Sequence, residues 1–142
     1  MDDIEQLDVA ISALMRVLVI DERRSLSTNA GVPFNPIDLE ALSFVNRHPE
    51  SSAKDVSNYL GVRSTTMQSV VDRLVKRSLL KRDKIALKGR AVALSLTETG
   101  LQVQDELRAH NLKNCKQILA SLDEDERQGF VKNMTLIAAA LF

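Results

Sequence analysis

Val56 to Arg82 reads VSNYLGVRSTTMQSVVDRLVKRSLLKR, and the reading of this stretch decides the fold. A helix–turn–helix needs a small residue where its two helices touch. It also needs a turn residue that tolerates a left-handed backbone, and apolar residues facing inward on both helices. Ser57 is the small contact, four residues before Gly61, and Gly61 is the turn. Val56, Leu60, Val62, Met67 and Val70 form the inward set. The second helix starts at Ser64 and runs to about Arg77, with Val71 and Leu74 also inward. Its outward residues are polar: Arg63, Ser64, Thr65, Thr66, Gln68, Ser69, Asp72 and Arg73.

Downstream, Leu79 to Asp83 is a short strand candidate, residues 84–90 are basic with Gly89 at an exposed hairpin tip, and residues 91–96 are the return strand. Period two turns Val92, Leu94 and Leu96 inward. A helix that lies in a major groove with a basic loop beside it accounts for both features together.

Upstream, the spacing predicts a long helix over residues 3–26, because Ile4, Leu7, Ile11, Leu14 and Leu18 recur at steps of three and four. Residues 27–36 are rich in Ser, Asn, Gly and Pro and read as a loop. A helix follows near Pro36 to Arg47, with Asn35 as N-cap, Pro36 at the first helical position and Pro49 as the stop. Ser51 or Ser52 caps the helix that ends at Leu60.

Beyond the hairpin, Thr97 caps a helix running to about Leu122, whose apolar stripe is Leu112, Cys115, Leu119 and Leu122. Asp123 caps a last helix, with Glu124, Asp125 and Glu126 in its first turn and Phe130, Met134, Ile137 and Leu141 as its stripe. The fold class is therefore mainly α with a small β-hairpin (α+β): a winged helix–turn–helix with flanking helices. The expected division is residues 1–35, 36–96 and 97–142. Core packing does not require all the flanking stripes. Ile4, Leu7, Ile11, Leu119, Leu122, Phe130, Met134, Ile137 and Leu141 are therefore read as a homodimer interface.

Charge supports the same face. The chain has 142 residues with 19 basic and 19 acidic side chains, a formal net charge of zero. Yet residues 54–90 carry ten bases and three acids, a net +7, against −5 before them and −2 after. A clustered excess of this kind is the electrostatic footprint of a nucleic-acid face. Acidic flanks discourage the other helices from binding DNA.

Composition excludes several classes. A 44% hydrophobic and 27% charged chain is ordinary globular material, neither disordered nor a disulfide mini-protein. The longest apolar run, Leu136 to Phe142, is too short to span a bilayer, and the acidic start lacks the basic region of a secretory signal. The single cysteine cannot form an internal disulfide, and a reducing cytoplasm is expected. Cys115 lies on an apolar stripe and reads as a packing cysteine. An oxidant sensor would need exposure and nearby bases, and Lys113 and Lys116 lie on other helix faces. His48 and His110 are too few and too far apart for a metal cage. Phosphate-cradling loops, zinc motifs and nucleophile elbows are not found, so no enzyme, metal or cofactor is expected.

The stretch LGVRSTTMQSVVDRLVKRSLLKR, the basic wing ending in GRAVALSLTETG, and the long helix after it resemble the MarR family of winged-helix transcription regulators. The resemblance covers essentially the whole chain. Its most specific parts are Asp72-Arg73-Leu74 and the Leu-Thr-Glu-x-Gly at Leu96–Gly100. It implies a dimer joined by terminal helices, with a wing beside each recognition helix. It also implies a bacterial or archaeal cytoplasmic protein that represses nearby genes and often answers to small phenolic or lipophilic effectors.

Three positions depart from the family pattern. The wing's usual Asp-x-Arg reads Lys88, Gly89, Arg90. Ser78 stands where Gly is frequent, which implies a less sharply formed turn. Ser69 stands where a base is frequent, which moves base reading towards Gln68 and Arg73.

On that reading double-stranded DNA is the partner. Gln68 pairs with adenine, Arg73 reaches guanine or phosphate, and Arg63, Ser64, Thr65, Thr66 and Ser69 meet phosphate or base edges. Arg90 enters the minor groove, with Lys84 and Lys88 on phosphates. Lys76, Arg77, Lys81 and Arg82 are equally well read as solvated surface. The alternative is a winged-helix module that binds an acidic protein partner rather than specific DNA.

Overall fold

The computed structural model describes residues 1–18, 34–84 and 92–141. They form two compact units, Met1–Leu107 and Arg108–Phe142. The first contains α1 (Asp3–Leu18), α2 (Pro36–Arg47), α3 (Ala53–Leu60), α4 (Ser64–Lys76), β1 (Leu80–Lys84), β2 (Val92–Leu96) and the first part of α5 (Glu98–Leu119). The second contains the rest of α5 and α6 (Glu124–Leu141). The part of the expected first helix beyond Leu18, most of the following loop and the wing tip lie outside the described residues.

Local chemistry sets the boundaries. Asn35 Oδ1 accepts the Ile37 amide at 2.9 Å with Pro36 at the first helical position, so α2 starts where the sequence places it. Of the two serines offered as caps, Ser52 is the one used. Its Oγ accepts the Asp55 amide at 3.1 Å while Asp55 Oδ2 accepts the Ser52 amide at 2.9 Å, a reciprocal capping box. Gly61, at φ 66°, ends α3 and lets the Val62 amide reach back to Ser57 O at 3.1 Å. Asp123 and Glu126 make a second capping box at the start of α6.

The core of the first unit is one apolar cluster. α2 contributes Ala41, Leu42, Phe44 and Val45, and α3 contributes Val56. All four inward residues expected of α4, Met67, Val70, Val71 and Leu74, are buried in it. Leu79, Leu80, Leu94 and Val103 close it from the hairpin and α5. β1 and β2 pair antiparallel from Leu80 opposite Leu96 to Lys84 opposite Val92. A backbone bridge from Ser51 to Leu94 ties the hairpin to the α2–α3 turn.

Three expectations are corrected. Val92 is 38% exposed, not inward, because it pairs at the far end of the hairpin, where the cluster no longer reaches. Ala93, on the opposite face, is buried instead. α5 ends at Leu119, and Leu122 lies in the turn before α6, where its amide donates to Leu119 O at 3.1 Å. Cys115 is exposed, because the buried positions of α5 are Gly100, Val103, Leu107 and Asn114. One residue beyond Asn114 turns the side chain about 100° away from that stripe.

Ser78 corrects a fourth. The turn after α4 is fully formed without glycine: Ser78 takes the left-handed conformation itself, at φ 61°. Its amide donates to Val75 O and the Leu79 amide to Leu74 O, both at 2.9 Å. This is the paired bonding that ends helices at a left-handed residue.

Candidate nucleic-acid interface

α4 is the second helix of the helix–turn–helix, and its surface is built by what it buries. With about 100° between successive residues, Thr65, Ser69, Asp72 and Lys76 line up opposite the buried Met67, Val70, Val71 and Leu74. Gln68 flanks this outward row on one side and Arg73 on the other. Arg63, Ser64, Thr65, Thr66, Gln68, Ser69 and Arg73 are all exposed. Lys84 ends β1. Lys88 and Arg90 lie outside the described residues.

The N-terminus of α4 carries no side-chain cap. The first amides of a helix have no partner within it, and they carry the positive end of its dipole. Here those amides stand beside the hydroxyls of Ser64, Thr65 and Thr66 and the guanidinium of Arg63. α2 and α3 spend a side chain on the same position. An uncapped start flanked by donors suits an anion such as a backbone phosphate.

The Asp72-Arg73-Leu74 motif anchors α4 to three different neighbours. Leu74 is fully buried in the core. Arg73 makes a two-pronged contact with Asp38 in the first turn of α2, with Nη2 to Oδ1 at 2.7 Å and Nε to Oδ2 at 3.3 Å. The hydrogen bonds and charge of Asp38 hold the Arg73 pKa above its ordinary value. Asp72 accepts an ion-paired hydrogen bond from Arg82 on β1. The motif therefore fixes the pose of the helix relative to α2, the core and the hairpin. The sequence pattern points Arg73 at DNA and carries no signal for Asp38, 35 residues away. Arg77 and Arg82 were equally open to a reading as solvated surface. In the structure Arg77 stacks over the Phe34 ring at 3.9 Å and Arg82 holds Asp72.

The Leu-Thr-Glu-x-Gly motif pins the other end of α4. Thr97 Oγ1 donates to Ser78 O at 2.5 Å and accepts the Gly100 amide at 3.0 Å, so one hydroxyl joins the exit of α4 to the start of α5. The Thr97 amide donates to Leu79 O at 3.0 Å. A β-carbon on Gly100 would stand 2.2 Å from that same carbonyl oxygen, which is why the position has no side chain.

The flanking helices present apolar faces. α1 and α6 bury none of their residues. Ile4, Leu7 and Ile11 on α1, and Phe130, Met134, Ile137 and Leu141 on α6, are exposed, while Leu119 and Leu122 are half-buried. Among the described residues, no helix is long and apolar enough to cross a membrane.

Residues 31–91 match the MarR family model. Over 103 residues the chain is 23% identical to the uncharacterized HTH-type transcriptional regulator YfiV of Bacillus subtilis, covering 72% of this chain and 64% of the relative's length. The fold is similar to that of FabT of Streptococcus pneumoniae, crystallised in complex with DNA, with a TM-score of 0.83, 20% identity and coverage of 98% of this chain and 97% of that one. It is also similar to the PcaV transcriptional regulator of Streptomyces coelicolor, crystallised with its natural ligand, with a TM-score of 0.63, 25% identity and coverage of 97% and 90%. The helix–turn–helix, the hairpin joined to it and the match over residues 31–91 make this chain similar to the MarR family.

Proposed function

We propose that this protein is a sequence-specific DNA-binding transcription regulator, a repressor that acts as a homodimer on a pseudo-palindromic operator in the cytoplasm. The observation that carries the reading is α4: an exposed polar face, an uncapped N-terminus ringed by donors, and a pose fixed by Arg73, Asp72 and Leu74. Arg63, Ser64, Thr65, Thr66, Gln68 and Ser69 face the major groove. Lys84, Lys88 and Arg90 of the wing belong to the same footprint. Arg73 acts mainly by orienting α4. The exposed apolar faces of α1 and α6 are the surfaces through which two copies join.

Selection of genomic fragments by the purified protein tests this. The expected product is a site with two inverted half-sites about one helical turn apart, bound with an affinity that falls steeply as salt rises. Equal, weak binding to every fragment at low salt would count against it and favour association with an acidic protein.

The proposal includes an effector. PcaV was crystallised with a natural ligand, and we extend to this chain a small phenolic or lipophilic molecule that lowers operator affinity. A thermal-shift screen of such compounds, followed by operator release, checks it.

A further inference from the structure

We infer that Gln68 reads an adenine in each operator half-site, and that this amide, not an arginine, sets the base preference of α4. The inference rests on the DNA-binding reading above and specifies what the helix recognises.

A recognition helix reads bases with its N-terminal half. The commonest specific contact there is an arginine or lysine forked onto guanine, whereas a glutamine forks onto the N6 and N7 atoms of adenine. The arginines of α4 and its exit are held by the protein. Arg73 has its Nε and Nη2 edge on Asp38, Arg77 lies over the Phe34 ring, and Arg82 is paired with Asp72. The Ser69 hydroxyl is turned back onto Thr65 O at 3.3 Å. Lys76 is at the far end of the helix. Arg63 precedes the first turn, at the end suited to phosphate.

Gln68 differs from all of these. It is exposed, lies in the first half of α4, and among the described residues no partner takes its amide. It is the one side chain in that half with a donor and an acceptor side by side, the pattern that matches the major-groove edge of adenine.

The test pairs wild-type protein with Gln68→Ala and Gln68→Arg, each on randomised DNA and then on the selected operator. The position is exposed, and retained far-UV circular dichroism confirms that the variants fold. Wild type should select an A·T pair at one position in each half-site. Replacing that pair by G·C should weaken wild-type binding about tenfold per half-site. Gln68→Ala should bind both sites within twofold of each other, and Gln68→Arg should select guanine at that position. The inference is overturned if Gln68→Ala keeps the full wild-type preference at every position. It is equally overturned if the strongest selected base is a guanine whose preference disappears in Arg73→Ala. A wild-type protein that selects no sequence sinks the regulator reading itself, an outcome distinct from selection that ignores Gln68.

Discussion

Arg73 on α4 and Asp38 on α2 form an asymmetric pair: the carboxylate side chain is 3% exposed and the guanidinium side chain 48% exposed. The two partners therefore do not have equal claims on the pair. Removing Arg73 strands a buried charge, which costs roughly 3–5 kcal/mol. Removing Asp38 leaves an arginine that turns to water, and the loss is about 1 kcal/mol once solvent screening is allowed for. Urea denaturation should therefore find Arg73→Ala clearly less stable than Asp38→Ala. Equal losses would show that the pair is not buried on one side. Both variants should weaken operator binding uniformly across sequences, because they tilt α4 rather than alter its reading surface.

Ser78 holds a left-handed backbone that costs an L residue about 1–2 kcal/mol. Its carbonyl, not its side chain, takes the bond from Thr97. Ser78→Gly should therefore raise stability by roughly 1 kcal/mol while keeping the turn. Ser78→Val should lower it. Chemical denaturation midpoints at constant m-value check both.

Gly100 faces the backbone carbonyl of Leu79, which cannot rotate away as a side chain would. Gly100→Ala should destabilise the fold by about 2–3 kcal/mol despite alanine's better helix propensity. Gly129, in α6, has open space around it, so Gly129→Ala serves as the control and should be neutral or mildly stabilising.

Met134 and Ile137 lie on the exposed apolar face of α6. Met134→Glu with Ile137→Glu should dissociate the dimer, read by light scattering after size exclusion. It should also lower operator affinity by at least tenfold, because each half-site is then bound alone. The core of the first unit contains neither residue, so monomers should keep their helical spectrum.

Asp123 caps α6, and the amide and side chain of Glu126 hold its carboxyl below the usual carboxylate range. A group with a depressed folded pKa stabilises the native state above its unfolded pKa, and the contribution fades as pH falls through the folded value. The stability difference between wild type and Asp123→Ala should thus be full at neutral pH. It should shrink only in acid below the ordinary carboxylate range. A difference that persists unchanged at the lowest pH would exclude the ionised cap.

Local structure was legible along most of the chain because its causes are local. Asn35 with Ile37, Ser52 with Asp55, Gly61 with Ser57, Thr97 with Gly100 and Asp123 with Glu126 make their capping bonds within four residues, so the helix starts and the α3–α4 turn follow from nearby letters. The inward face of α4 was legible for the same reason, since a period of 3.6 leaves one place for Met67, Val70, Val71 and Leu74. Ser78 shows the limit. A left-handed turn need not contain glycine when Thr97, nineteen residues away, and the burial of Leu79 hold it in place.

The roles of the charges were decided by tertiary structure alone. Sequence counts a net +7 across residues 54–90 but cannot say which bases are available. Asp38 is 35 residues from Arg73, and only the packing of α2 against α4 brings the two together. Packing within the first unit likewise buries Ala93 on β2, because burial depends on what lies opposite. The sequence by itself therefore determined the elements and their order, and the resemblance to a family. The three-dimensional fold decided which polar side chains hold α4 in place and which, Gln68 among them, are left exposed on its surface. Pairing partners across tens of residues are chosen by packing geometry, and a linear pattern does not contain it.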